Sequence, residues 1–234
     1  MRRIIVCPQT KGGIGRSFVA ALLFDFLCDQ GAAPKVFDLG ATLQRLVPEA
    51  EFIPPDDPVP LDRIVHGLDE ADGVLVDRSG FAGSRLFDDL TEERQVDLQV
   101  RFGCEFVFLP VATDDKEANS EIADALDGFG GRVRWLVARN RREGARLDGF
   151  DRSRSRARLA ALGAVEITVP HLAGVTHRRL QAEDLTVGRG RTAAKLHLLD
   201  RSRCARYRAH MAGEFGKVRE RLAARYCRPS SRSR

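Results

Sequence analysis

Short apolar runs alternate with segments of helical spacing along most of the chain, and this alternation constrains the fold more than any other feature. The apolar runs are continuous rather than alternating, as expected for strands of a sheet that is buried on both faces. Strands that alternate with helices predict an α/β fold: a doubly wound, mainly parallel sheet with helices on both faces. The predicted strands are 2–7, 35–38, 73–80, 104–112, 133–140 and 165–170, and the helices between them are 17–31, 60–71, 84–102, 116–129 and 154–163.

The chain of 234 residues is long enough for one large α/β domain, which we place at 1–227. Residues 192–226 have helical character, with an apolar stripe that we expect to pack on the sheet. A proline- and aspartate-rich stretch, 50–60, is predicted to be a loop, and the polar segment 228–234 a disordered basic tail. The stripe consists of Cys204, Met211, Phe215, Val218 and Leu222.

Several classes of protein are disfavoured by composition. No stretch approaches the roughly 20 apolar residues of a membrane-spanning helix, and the first apolar run is too short for a signal peptide, so we expect a cytoplasmic protein that does not bind membranes. The five cysteines lack C-x-x-C spacing and are interpreted as reduced, buried residues. The five histidines are scattered, which argues against a metal site of their own.

The sequence TKGGIGRS, residues 10–17, lies between the first predicted strand and the first predicted helix. A glycine-rich turn in this position points backbone N–H groups at an anion, and the helix N-terminus adds its positive end. Gly12, Gly13 and Gly15 supply the turn, and the Ser17 hydroxyl can ligate Mg²⁺. The strict pattern G-x-x-x-x-G-K-[ST] fails at Thr10 and Arg16, although the context predicts a phosphate-binding loop.

KGGIGRS resembles the deviant Walker A loop, K-G-G-x-G-K-[ST], of the ParA/MinD family of dimerising ATPases. The resemblance implies a P-loop NTPase fold, a three-layer α/β/α arrangement, with ATP and Mg²⁺ as cofactors. It implies that Lys11 reaches across an ATP-sandwich homodimer to the partner's nucleotide. The nucleotide would contact the loop and the start of the helix at Lys11, Gly12, Gly13, Ile14, Gly15, Arg16, Ser17 and Phe18.

Two further segments are similar to the switch motifs of this family. In VFDLG (36–40), Asp38 corresponds to the carboxylate that positions the attacking water, although Val36 replaces the first carboxylate of the motif. In VLVDRSG (74–80), Asp77 corresponds to the aspartate that holds Mg²⁺ through water, and Gly80 to the glycine near the γ-phosphate. The usual prolines of this motif are absent.

Two strand ends match the elements around the base. LVARN (136–140) ends in Asn140, whose counterpart reads adenine, and ITVP (167–170) ends in Pro170, which flanks the base. The resemblance covers residues 3–170, and the branch of plasmid partition and conjugation ATPases, the StbB/TraL type, is the most similar.

Arginine at position 16 changes the expected chemistry. The loop lysine of an ATPase is a compact charge between the β- and γ-phosphates, and a larger guanidinium holds phosphate but places its charge differently. We therefore expect ATP binding with slow hydrolysis in which Lys11, Arg16 and Asp38 take part. One alternative is a pseudo-ATPase, an adaptor or DNA-binding protein that has lost hydrolysis. Another is a small-molecule enzyme on the same fold, which Lys11 disfavours.

Charge is divided unevenly along the chain. Residues 1–131 hold 12 Lys and Arg against 24 Asp and Glu, and residues 132–234 hold 26 against 9. In the resembling family such basic residues bind DNA nonspecifically in the ATP dimer, by counterion release. The alternative is a solvated surface that offsets the acidic half. A centromere-binding or adaptor protein is a further expected partner. The candidate DNA-binding residues are Arg139, Arg141, Arg142, Arg152, Arg154, Arg156, Arg158, Arg178 and Arg179.

Overall fold

The computed structural model describes residues 2–71, 73–78 and 83–218. Its centre is an eight-stranded sheet in which all the described pairings are parallel. The strand order is β3-β2-β4-β1-β5-β7, and β6 and β8 also pair with β7. The strands are β1 Arg2–Cys7, β2 Lys35–Asp38, β3 Glu51–Phe52, β4 Gly73–Asp77, β5 Cys104–Phe108, β6 Val111–Ala112, β7 Arg134–Asn140 and β8 Val165–Val169.

Helices cover both faces of the sheet, which confirms the predicted doubly wound architecture. One apolar core contains residues of α1, α10 and α11, and a second core on the opposite face contains residues of α3, α5 and α8. The helices are α1 Arg16–Asp29, α2 Leu43–Leu46, α3 Pro60–Glu70, α4 Gly83–Asp89, α5 Glu92–Phe102, α6 Lys116–Phe129, α7 Asp148–Asp151, α8 Arg154–Ala161, α9 Gly174–Ala182, α10 Val187–Gly190 and α11 Leu198–Gly216.

The predicted strand 104–112 is wrong as one element, because it is interrupted at Leu109 and Pro110. β5 and β6 both pair with β7, with Val107 opposite Arg134 and Val111 opposite Ala138. The carbonyl of Pro110 accepts from the N–H of Ala138 at 2.9 Å. Proline has no N–H to donate, which explains why regular pairing stops at this point.

The predicted helix 84–102 is two helices. The hydroxyl of Thr91 accepts from the N–H of Arg94 at 3.3 Å and so caps a new helix, α5. The short elements β3, α2, α7, α9 and α10 were not predicted, since a few residues carry little periodic signal. The loop predicted at 50–60 thus contains β3.

The C-terminal apolar stripe packs as predicted where it is described. Cys204, Met211, Phe215 and Val218 are buried in the core against α1. Leu222, the rest of the predicted helix to 226 and the segment 228–234 lie outside the described residues.

The cysteine prediction is correct at three of the described positions. Cys7, Cys104 and Cys204 are buried, whereas Cys28 is exposed in the last turn of α1, and Cys227 lies outside the described residues. In the described part of the chain, no group of three or more His, Cys, Asp and Glu could hold a metal, and no helix could cross a membrane.

Candidate functional site

The site lies at the carboxyl end of the central strand β1, where the strand order of the sheet reverses direction. β1 pairs with β4 on one side and with β5 on the other. In such a sheet, ligands bind in the crevice at the carboxyl ends of the strands on either side of this point. The loop from Pro8 to Gly15 occupies that edge and connects β1 to α1.

Gly15 gives this loop its close approach to β7. It has φ +91° and stands at the N-terminus of α1, and a Cβ at this position would lie 2.5 Å from Nδ2 of Asn140. The buried Asn140 side chain donates from Nδ2 to the carbonyl of Ile14 at 2.9 Å. The structure therefore brings Asn140, the residue predicted to read the base, against the glycine-rich loop.

The side chain of Arg16 turns back onto the loop that precedes it. Nη1 donates to the carbonyl of Gln9 at 2.5 Å, and Nη2 donates to the carbonyl of Thr10 at 3.4 Å. The guanidinium is thus held beside the loop by the loop's own backbone, where its charge also acts on Asp77.

Two carboxylates of α6 hold the opposite side of the loop. Glu121 accepts from the N–H groups of Thr10 and Lys11 at 2.8 and 3.0 Å, and also from the Thr10 hydroxyl. Glu117, one turn earlier, pairs with Nζ of Lys11, and this hydrogen bond raises the pKa of that lysine. Lys11 therefore points toward α6.

Ser17 and Asp77 meet beside the loop, as a magnesium site requires. The hydroxyl of Ser17 donates to Oδ2 of Asp77, which is buried at the end of β4. Oδ1 of Asp77 has no hydrogen-bond partner among the described residues. Burial raises the pKa of this carboxyl to about 6, against the opposing effects of Arg16 and the Ser17 hydroxyl. A hydroxyl beside an unpartnered carboxylate oxygen fits a hard cation such as Mg²⁺.

Asp38 lies next to this pair but is engaged with its own loop. It is directly opposite Asp77 in the β2–β4 pairing. Oδ1 accepts from the N–H of Gly40, and Oδ2 accepts from the N–H of Gln44, each at 2.7 Å. Both oxygens thus stabilise the turn that leads into α2. Gly80, the predicted γ-phosphate glycine, lies outside the described residues.

A cavity of about 590 Å³ opens beside the loop and extends between α1, α9 and α10. Its described lining includes three arginines, two histidines and no carboxylate. The cavity is therefore electropositive, which favours an anionic ligand. The charged and titratable lining residues are Arg16, Arg142, Arg178, His171 and His177.

Most of the predicted nucleotide-binding residues meet in this cavity. Lys11 is directed at Glu117 instead, and Ile14 is buried in the core. The ring of Phe18 lies 5.1 Å from that of His177, and the hydroxyl of Tyr207 donates to the carbonyl of Pro170 at 2.7 Å. The predicted residues that line the cavity are Gly12, Gly13, Gly15, Arg16, Ser17, Phe18, Asn140 and Pro170.

The nine arginines proposed for DNA have three different surroundings. Arg139, Arg156, Arg158 and Arg179 form ion pairs with acidic residues of the same chain. Arg142 and Arg178 line the cavity. The remaining three are exposed and make no side-chain hydrogen bond or ion pair with another described residue. These are Arg141, Arg152 and Arg154.

Gln9 was missed as a site residue although it holds the start of the loop. It is buried, and its Oε1 accepts from the N–H of Val111 at 2.6 Å. Its Nε2 donates to the carbonyls of Val111 and Ala118 at 3.0 and 2.8 Å. A polar residue shortly after an apolar strand was the available signal.

Arg78 was missed as well. Nη1 donates to the carbonyl of Pro8 at 2.6 Å, and the guanidinium lies 4.1 Å from the ring centre of Phe87. Burial lowers the pKa of this arginine to about 10. It follows Asp77 directly, and its hydrogen bond joins the end of β4 to the start of the loop.

The fold and the loop define the class of structure: a doubly wound parallel α/β protein with a glycine-rich loop at the carboxyl edge of its sheet. No protein family and no curated protein matches the chain. Among solved structures, the septum site-determining protein MinD complexed with Mg-ADP from Pyrococcus horikoshii OT3 matches with a TM-score of 0.56 at 15% identity. This match covers 96% of the present chain and 100% of the MinD chain. The chain therefore has the fold of this MinD structure, and the predicted P-loop NTPase fold is confirmed.

Two other solved structures match less well. The MinD cell division protein of Aquifex aeolicus has a TM-score of 0.49 at 11% identity, covering 93% of this chain and 97% of its own. FtsY from Mycoplasma mycoides has a TM-score of 0.45 at 14% identity, covering 92% of this chain and 68% of its own.

Proposed function

We propose that the protein is an ATP-binding switch of the ParA/MinD type, which dimerises when Mg²⁺-ATP is bound. The observation that carries the proposal is the electropositive cavity beside the phosphate-binding loop, lined by arginine and histidine without a described carboxylate. A glycine-rich loop at a helix N-terminus points its N–H groups at an anion and is well suited to phosphate groups. The MinD structure with the same fold holds Mg-ADP.

We assign different described residues to the phosphates, the base and the metal ion of the nucleotide. The N–H groups of the loop would take the phosphates, while Phe18, Asn140 and Pro170 would surround the base. Ser17 and Asp77 would hold Mg²⁺, which neutralises phosphate charge when it is bound. The unpartnered Oδ1 of Asp77 supports this assignment.

Slow hydrolysis is the second part of the proposal. The three side chains on which turnover would depend are each engaged elsewhere: Arg16 with loop carbonyls, Lys11 with Glu117, and Asp38 with two N–H groups. Transition-state stabilisation depends on where a charge is placed, and a displaced contact commonly costs about 10²- to 10³-fold in rate. A protein of this kind binds ATP firmly and turns it over slowly.

We further propose that the dimer acts in plasmid or chromosome partition or in conjugative DNA maintenance, with DNA and an adaptor or centromere-binding protein as partners. Arg141, Arg152 and Arg154 are the exposed arginines that support nonspecific DNA binding. The alternative function is an adaptor that keeps the fold without hydrolysis, and the engagement of both oxygens of Asp38 favours it.

Mass measurement in solution with and without Mg²⁺-ATP tests the switch. We expect a dimer that is gained on ATP, whereas a fixed oligomeric state would favour the adaptor. In the same preparation, Arg16→Lys should raise the ATPase rate by at least about tenfold. A wild-type protein that already hydrolyses ATP briskly, with no gain in the variant, would contradict slow hydrolysis.

A further inference from the structure

We propose that Arg142 and Arg178 bind the phosphates of the nucleotide, so that these two arginines of the basic half serve the cavity rather than DNA. This inference rests on the proposed function and adds two residues to its site. It assigns to the segments after β7 and β8 a role in holding the anionic part of the ligand.

The cations nearest the loop are already engaged in part. Nη1 and Nη2 of Arg16 each donate to a loop carbonyl, and Nζ of Lys11 is paired with Glu117. A triphosphate is highly charged, so additional cations that line the cavity would stabilise it. The described arginines of the lining besides Arg16 are Arg142 and Arg178.

Arg142 can supply positive charge beside the loop. It begins a short turn just beyond β7, two residues after Asn140, and its Nη1 donates to the carbonyl of Gly13. The side chain thus contacts the phosphate-binding loop itself. A guanidinium has five N–H donors, and the contact with Gly13 uses one of them, which leaves others for phosphate oxygens.

Arg178 approaches the cavity from α9. It is exposed and lines the cavity, and it makes no side-chain hydrogen bond or ion pair with another residue in the described ranges. Its neighbour Arg179 points elsewhere and pairs with the buried Asp200 of α11. Two adjacent arginines are therefore separated by function: one holds α9 to α11, and the other faces the ligand space.

His177 lines the same cavity and precedes Arg178 directly in the sequence. Its ring contacts Phe18, and its pKa is lowered by burial and then by the nearby charge of Arg142. A neutral imidazole offers a surface for a base, while the two arginines carry the charge. This division matches a ligand that has one flat end and one anionic end.

The test measures the binding of ATP and of inorganic triphosphate by calorimetry to Arg142→Ala, Arg178→Ala and the double variant. Arg206→Ala is the matched control, because Arg206 is an exposed arginine of α11 that does not line the cavity. We expect each single variant to weaken both ligands by about tenfold, the double variant by more, and Arg206→Ala to have no effect. Thermal unfolding checks that the variants keep the fold.

The outcomes separate this inference from the proposed function. If wild type binds ATP and the two variants bind it as well as Arg206→Ala does, the inference is wrong and the function stands. If triphosphate binds through these arginines but ATP does not bind, the phosphate site stands and the ATP switch fails. Variants that weaken DNA binding while leaving both ligands unaffected also overturn the inference.

Discussion

The glycine-rich loop and the basic half, residues 132–234, differ in how their charged side chains are partnered. In the loop and the first residues of α1, five polar side chains each have a hydrogen-bond partner within the chain; they belong to Gln9, Thr10, Lys11, Arg16 and Ser17. In the basic half, some arginines are paired with carboxylates, some line the cavity and some are exposed. The local partner of a charged side chain, rather than the total charge of its region, therefore decides what that side chain can bind.

The largest effect is expected at Gly15. Gly15→Ala places a Cβ at positive φ, 2.5 Å from Asn140 Nδ2, so we expect a loss of about 3 kcal/mol in unfolding free energy and a loss of ATP binding. Gly12→Ala is the stability control, because its Cβ would have no atom within 4 Å and its φ is not positive. Denaturant unfolding of both variants makes the measurement, and equal stabilities would contradict the described loop geometry.

Gln9→Ala tests whether the loop depends on its buried partners. The change leaves the N–H of Val111 and the carbonyl of Ala118 without their side-chain partner, and we expect a cost of about 2 kcal/mol in unfolding free energy. Gln99→Ala removes the same side chain from the exposed surface of α5 and should change stability little. Equal losses in the two variants would show that the Gln9 contacts are not the cause.

Two pairs of arginines on or beside α8 test the basic half. Arg152→Ala with Arg154→Ala removes exposed charges, and should lower the dependence of log K for DNA on log salt by about 2, measured with Mg²⁺-ATP. Arg156→Ala with Arg158→Ala removes charges that are paired with Glu166 and Asp127, and should lower thermal stability with a smaller change in DNA binding. DNA affinity that is indifferent to salt would remove the DNA proposal. Equal effects of the two pairs on DNA binding would show that pairing with a carboxylate does not decide which arginines bind DNA.

The smallest effect is expected at Glu117. Glu117→Gln weakens the contact that directs Lys11 to α6, so ATP-dependent dimerisation should tighten by less than about fivefold, as expected for an exposed ion pair. Glu93→Gln, an exposed substitution on α5, is the control for charge. Analytical ultracentrifugation with Mg²⁺-ATP gives the dimer constants, and weaker dimerisation in Glu117→Gln would show that the contact supports the dimer.

The sequence predicts the sheet well because buried parallel strands must be apolar along their whole length. The same reasoning predicts the loop, since its glycines lie between β1 and α1, and it predicts that Ser17 and Asp77 meet. The break at Pro110 was not predicted, although the missing N–H of proline indicates one, because the apolar residues around it continue without interruption.

The contacts that position the side chains of the site could not be predicted from the sequence in this way. Glu117 and Glu121 hold the loop from more than 100 positions away, and no periodicity indicates which face of α6 meets the loop. Arg142 and Arg178 were assigned to DNA because charge density carries no information about partners. Their place at the cavity follows from the turn after β7 and from α9, which was not predicted.

The most direct test is calorimetry of ATP binding to the intact chain with and without Mg²⁺, with Asp77→Asn as the comparison. We expect wild type to bind ATP more tightly with Mg²⁺ and Asp77→Asn to lose this gain, because Ser17 and Asp77 would hold the magnesium ion in the proposed function. No ATP binding at millimolar concentration, or binding in which neither Mg²⁺ nor Asp77 matters, would contradict this expectation.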